Sequence, residues 1–308
     1  MKKLSLLLVF AMSLLPALSA NSQAQDQGTP VQMTVTVEAR HGNTPPEITR
    51  EDVMVYEGHD RDKVATWVPA QGDQSGLEFF ILLDDGASIS LGSQLEDLRG
   101  FIDGQPPSTK IGVAYMQNGV AQVVQELTND HARAAKSLRL PLGTPGVNGS
   151  PYFSLQDLIK RWPATTERRE VLMVTDGVDR YGETPGQDPY VDAAVADAQR
   201  AGVIVYDIYT PGVGHVSHSY WLRYWGQMYL SQIAEETGGE SYYIGFSGAP
   251  VSLSPYLDEV SHRLGHQYLL TFLPKPEKKA GLRRIKLQTE VQNAELVAAT
   301  QVYVPAVP

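Results

Sequence analysis

Leu77-Glu78-Phe79-Phe80-Ile81-Leu82-Leu83-Asp84-Asp85-Gly86-Ala87-Ser88 is the stretch from which the rest of the chain is read. Phe79 to Leu83 are apolar without a break, which suits a parallel strand covered on both faces. Two carboxylates, a glycine and a serine follow at once, the chemistry of a strand turning into a loop. Downstream, helical and strand-like stretches alternate. Leu91, Leu95, Leu98 and Ile102 mark a helix, Ile111 to Met116 and Val120 to Leu127 read as strands, and Asn129 or Asp130 caps a helix running to about Leu138. Ser154 to Trp162 reads as a helix and Val171 to Thr175 as a second buried strand, while Asp188-Pro189 opens a helix closed by Gly202. Val203 to Tyr209 is the next strand, and Tyr220 to Glu236 is a long aromatic-rich helix stopped by Gly238 and Gly239. A short strand near Tyr242 and a helix from Pro255 to Leu264 complete the series. This alternation predicts an α/β domain over residues 77–265, with a doubly wound, mostly parallel sheet.

The flanks have a different period. Val31, Met33, Val35 and Val37 alternate with polar residues, as in a strand with one buried face, and Val53 to Tyr56 and Val64 to Val68 follow as further strands. Tyr268 to Leu273, Ile285 to Val291 and Leu296 to Val304 are strand-like again, separated by charged or Gly/Pro-bearing turns. Segments 31–68 and 267–304 are therefore expected to pair as a small β-sandwich around the inserted α/β domain, or else to form two separate β-extensions of the main sheet.

Residues 1–24 are read apart from the fold. Met1, Lys2 and Lys3 form a cationic start, Leu4 to Leu15 an apolar run, and Pro16 to Ala24 a small-residue region, the pattern of a secretory signal peptide cleaved after Ala20 or Ala24. The expected location is secreted or periplasmic, in a bacterium. Of 308 residues, 25 are Lys or Arg and 35 Asp or Glu; removal of Lys2 and Lys3 leaves 23 against 35, near −12. That balance offers no field to gather phosphate backbones, so nucleic acid is not an expected partner. The absence of cysteine excludes disulfides, thiolate nucleophiles and cysteine zinc sites together.

Ligands of open α/β sheets bind at the carboxyl ends of the strands. There the sequence places Asp84-Asp85-Gly86-Ala87-Ser88, Thr175-Asp176-Gly177 and, in the loop before the second buried strand's helix, Gly149-Ser150-Pro151. Oxygen ligands of this kind suit a hard cation such as Mg²⁺, with Mn²⁺ or Ca²⁺ as alternatives.

With these residues in view, the chain resembles bacterial secreted proteins related to von Willebrand factor A domains. The metal-ion-dependent adhesion site of that family uses D-x-S-x-S, a loop threonine and a later aspartate; the matches are Asp84, Ser88, Ser150 in the threonine's place, and Asp176, with Gly86 where the motif has serine. Ile48-Thr49-Arg50-Glu51-Asp52-Val53-Met54-Val55-Tyr56-Glu57 resembles the family's lead-in, so the resemblance covers nearly the whole mature chain. It implies a non-enzymatic protein-binding or adhesion module that grips a carboxylate of an unidentified protein partner through the metal. Asp84 and Asp176 would supply charge and orientation, and Ser88 and Ser150 direct ligands. Asp85, His215, His218, Tyr220 and Trp221 are the further candidates for partner contact.

Rival readings come from other classes. A metal-assisted hydrolase would use the same carboxylates, and a metal-free scaffold would use none of them. Asp85-Gly86 is similar to the phosphotransferase signature of haloacid dehalogenases, but the nucleophile's position holds Leu83. His262 and His266 have zincin spacing with Arg263 in place of the glutamate base, and Gly212-Val213-Gly214 lacks the third glycine and the acid of a dinucleotide site. No nucleotide is implied.

Overall fold

The computed structural model describes residues 29–143, 149–181, 188–212, 219–243 and 251–306. The signal-peptide reading and the candidates His215 and His218 lie outside the described residues. In chain order the strands and helices are β1 (Val31–Ala39), β2 (Met54–Glu57), β3 (Asp60–Pro69), β4 (Leu77–Asp84), α1 (Leu95–Asp103), β5 (Thr109–Gln117), β6 (Val120–Thr128), α2 (His131–Lys136), α3 (Pro151–Arg161) and β7 (Arg168–Thr175). They continue with α4 (Pro189–Ala201), β8 (Val203–Tyr209), α5 (Tyr220–Thr237), β9 (Ser241–Tyr242), α6 (Ser254–Gly265), β10 (Gln267–Leu273), β11 (Gly281–Gln288), β12 (Ala294–Val297) and β13 (Gln301–Val304).

Every residue of β4 is buried, because successive side chains serve opposite faces of the sheet. Phe79, Ile81 and Leu83 pack with Leu95, Leu98 and Ile102 of α1, with α2 and with Leu257 and Val260 of α6. Phe80 and Leu82 pack on the other face with Leu155 and Leu158 of α3, Val191 and Val195 of α4 and Ile233 of α5. The six strands run β6-β5-β4-β7-β8-β9, all parallel except β6, which is antiparallel to β5. Strand order reverses direction on either side of β4, so the crevice between the ends of β4 and β7 is the switch point where such sheets bind ligands.

The flanking strands form a second, antiparallel sheet in the order β12-β1-β10-β3-β2-β11-β13. Segments from before and after the α/β domain interleave: β1 lies between β10 and β12, and β2 pairs with both β3 and β11. The sheet encloses its own core of Val35, Val37, Val53, Val55, Leu270 and Phe272, and Trp67 stacks on Tyr268 at 4.5 Å. Of the two arrangements expected, the paired one is observed.

Some boundaries differ from expectation. Leu91 lies in a 3-10 stretch, Ile89–Gln94, and α1 starts only at Leu95. Helix α2 stops at Lys136, short of Leu138. Helix α3 begins at Pro151 and not Ser154, because Ser150 caps it and Pro suits the first helical position. The last run is two strands, since Thr300 turns away to donate its N–H to Glu236 O at 3.0 Å.

Candidate functional site

Asp84 ends β4 and Thr175 ends β7, so the sheet itself sets them side by side. Asp84 is 4% exposed. Its Oδ1 accepts the N–H of Gly86 at 2.7 Å and its Oδ2 accepts the hydroxyl of Thr175 at 2.7 Å. Burial pushes the Asp84 carboxyl up to about 6; the nearby Asp176 charge adds to the rise, and Arg180 with the hydrogen bonds from Thr175 and Gly86 opposes it.

Asp176, 1% exposed, follows β7. Its Oδ1 accepts the N–H of Val178 at 2.9 Å, and its Oδ2 lies 2.5 Å from Arg180 Nη2. Arg180 also donates from Nη1 to Val178 O at 3.2 Å and from its backbone N–H to Gly149 O at 3.0 Å. A guanidinium is thus locked between the Asp176 loop and the loop before α3.

Ser150, 2% exposed, accepts the N–H of Phe153 at 3.3 Å as the cap of α3. Ser88 accepts the N–H of Ser90 at 3.2 Å and its hydroxyl at 2.9 Å. The structure therefore brings Asp84, Ser150 and Arg180 together around one crevice with the Asn118-Gly119 turn and Ser154, while Ser88 does not line it. The crevice volume is about 10 Å³, close to the room one water needs.

Asp85 behaves differently from its neighbour. At 1% exposure it faces inward, held by Arg139 through Nη1 at 2.6 Å and Nη2 at 2.8 Å and by the N–H of Leu142 at 3.2 Å. Arg139 in turn lies 3.8 Å over the Tyr115 ring. As a partner contact Asp85 is out of reach; it pins the segment Arg139–Leu142 onto the loop after β4.

Tyr220 and Trp221, 49% and 65% exposed, begin α5 at the same edge of the sheet. They head a run of neighbouring rings through Tyr224, Trp225 and Tyr229 to the buried Tyr152, whose hydroxyl donates to Gly177 O at 2.7 Å. Ile89, Leu140, Leu142 and Tyr181, between 49% and 67% exposed, stand on the loops around it.

A divalent metal is what the resemblance implied, and the donor set does not fit one. A guanidinium already neutralises Asp176, Ser88 does not line the crevice that Asp84, Ser150 and Arg180 share, and Gly86 brings no hydroxyl. Among the described residues no group of three or more His, Asp and Glu side chains is arranged to hold a metal ion. Sequence reading placed Thr175 at the site without a role and missed Arg180 and Arg139. The first two had a visible signal, Thr175 beside Asp176 and Arg180 four residues after it; Arg139, 54 residues from its partner, had none.

No family model matches the chain, and no curated protein matches it in sequence. Among solved structures it is similar to an aerotolerance-related membrane protein from Bacteroides fragilis NCTC 9343, at 17% identity, over 61% of this chain and 98% of that one, with a TM-score of 0.45. It is also similar to a von Willebrand factor type A protein from Catenulispora acidiphila, at 13% identity, over 93% of this chain and 75% of that one, with a TM-score of 0.46. A third is BatB from Bacteroides thetaiotaomicron, at 13% identity, over 61% and 97%, with a TM-score of 0.40. The six-stranded, mostly parallel sheet with helices on both faces is the α/β arrangement expected from the sequence. The α/β domain is joined to the β-sheet by two arginines: Arg168 of β7 reaches Gln267 of β10 and, at 3.0 Å, Ser75 O, and Arg263 of α6 pairs with Glu38 of β1 and, at 3.1 Å, with Glu240.

Proposed function

We propose that this chain is an exported, non-enzymatic protein-binding module that meets its partner with the carboxyl edge of the von Willebrand A-type domain, without a metal. The observation that carries this reading is the set of exposed apolar side chains at that edge: Ile89, Leu140, Leu142 and Tyr181, the last three next to segments held by the Asp85–Arg139 and Asp176–Arg180 ion pairs, and Tyr220 and Trp221 at the start of α5. Large apolar side chains gathered at one edge mark interaction surfaces, and Tyr and Trp are enriched among the residues that dominate binding.

The test is capture of partners from the exported fraction of the source cells by wild type and by a Tyr181→Ser/Trp221→Ser variant, with and without chelator. Capture lost in the variant and indifferent to chelator supports the reading, provided both proteins melt at the same temperature. Capture indifferent to the substitutions, or abolished by chelator, overturns it. Export is read separately: the mature protein is expected to begin at Asn21 or Gln25 by mass spectrometry.

A further inference from the structure

Asp84 and Asp176 stand at the ends of adjacent strands, 4% and 1% exposed. Two carboxylates so placed repel each other in a medium of low dielectric, and the repulsion is relieved by a proton on one of them, by a counter-charge or by a bound cation beside them. The chain carries that charge itself. Arg180, with 15% of its side chain exposed, meets Asp176 at 2.5 Å, lines the crevice that Asp84 and Ser150 line, and is held by Val178 O through its guanidinium and by Gly149 O through its backbone N–H.

The surrounding backbone is shaped for this arrangement. A Cβ on Gly212, in the loop after β8, would lie 2.0 Å from Asp176 Oδ2 and 3.1 Å from Arg180 Nη2, so only glycine leaves space for the ion pair there. The same Gly212 bridges to Ala87, which ties the loop after β8 to the loop after β4. Gly86, standing where the adhesion motif has a serine, offers its N–H to Asp84 and no hydroxyl to a metal. One ligand is missing and one cation is supplied, at neighbouring positions of a single site.

We infer that Arg180 is a tethered counter-ion that takes the place of a divalent cation beside Asp84 and Asp176, so that the site is assembled without metal and a divalent-cation site lies latent beneath the guanidinium. Withdrawing the guanidinium leaves the buried carboxylates and the vacated side-chain volume as an oxygen-lined site for a hard cation. A lysine at the same position keeps the charge and keeps the site closed to metal.

The experiment titrates the full mature chain with Mn²⁺ and with Mg²⁺ by calorimetry, for wild type, Arg180→Ala, Arg180→Lys and the doubles Arg180→Ala/Asp84→Asn and Arg180→Ala/Asp176→Asn. The expected result is saturable binding to Arg180→Ala alone, at least about tenfold tighter than any response of wild type or Arg180→Lys, lost in both doubles. Mn²⁺ should also raise the melting temperature of Arg180→Ala and leave wild type unchanged. If Arg180→Ala is recovered unfolded, refolding on addition of Mn²⁺ supports the inference and failure to refold overturns it. Folded Arg180→Ala that binds no metal, or wild type that binds as tightly as the variant, also overturns it. No partner protein enters the measurement, so its outcome is independent of the binding face proposed above.

Discussion

Adjacent carboxylates in this chain have different fates because their cations come from different places. Asp85 is buried and its partner Arg139 is 38% exposed on its side chain, so the two halves of the pair are unequal when broken. Arg139→Ala strands a buried charge and is expected to cost on the order of 3 kcal/mol in urea denaturation, whereas Asp85→Ala releases Arg139 to water and should cost less. The opposite order would remove the inward ion pair as the role of Asp85. In the β-sheet, burial pushes the Asp62 carboxyl up to about 6; the Glu57 and Asp60 charges add to the rise, and Lys275 and Arg283 oppose it. A carboxyl raised in the folded state contributes stability that is fully present below its unfolded value and is lost as pH rises through the folded one. Stability should therefore fall between about pH 4 and pH 6 by no more than roughly 2 kcal/mol, and Asp62→Asn should flatten that part of the curve. Asp84, Ser150 and Asp176 could be picked out in the sequence because each ends or opens an element. What Ser150 bonds to was not visible, since a serine in a loop and a serine capping a helix differ only in where the helix starts.

At the scale of elements, one tight junction is α5 against the loop after β7. A Cβ on Gly226 would come within 2.2 Å of Asp176 O, and Gly177, at φ +67°, faces Gly226 O just as closely, 2.4 Å from an added Cβ. Backbone meets backbone there with no side chain to yield. Gly226→Ala is expected to lower stability by about 1–3 kcal/mol, and to loosen the Asp176–Arg180 loop measured by amide exchange, whereas Gly100→Ala, with open space around its Cβ, should not destabilise. The strands and helices of the α/β domain were legible because each has one period and one set of neighbours. The end of the chain was not: Leu296 to Val304 is apolar enough for one strand, yet β12 pairs with β1 and β13 with β11, at opposite ends of the sheet. Pattern alone does not say which edge a strand joins.

At the scale of the molecule, the β-sheet exists only when both ends of the chain are present. Removing residues 267–306 would leave β1 with neither neighbour and β3 with only β2. Such a truncation should elute as aggregate in size-exclusion chromatography, because exposed strand edges pair with other chains; a stable monomer would contradict the interleaved sheet. The pairing of the flanks followed from their shared period of two, while their strand order had no signature in the residues.

The interleaving also decides how the protein bears mechanical force. The chain leaves the β-sheet at Pro69 and returns at Gln267, and the two crossings are stitched together where Ala70 donates its N–H to Gln267 O at 2.8 Å. A pull applied at residues 30 and 305 loads β1 and β13 and meets β13 first, a four-residue strand that among the described residues pairs with β11 alone. It opens like a zip, bond by bond. The α/β domain stays outside the tensioned path until β3 parts from β10. In single-molecule stretching the first lengthening should equal the release of the terminal strands alone, with the α/β domain and its aromatic edge still folded.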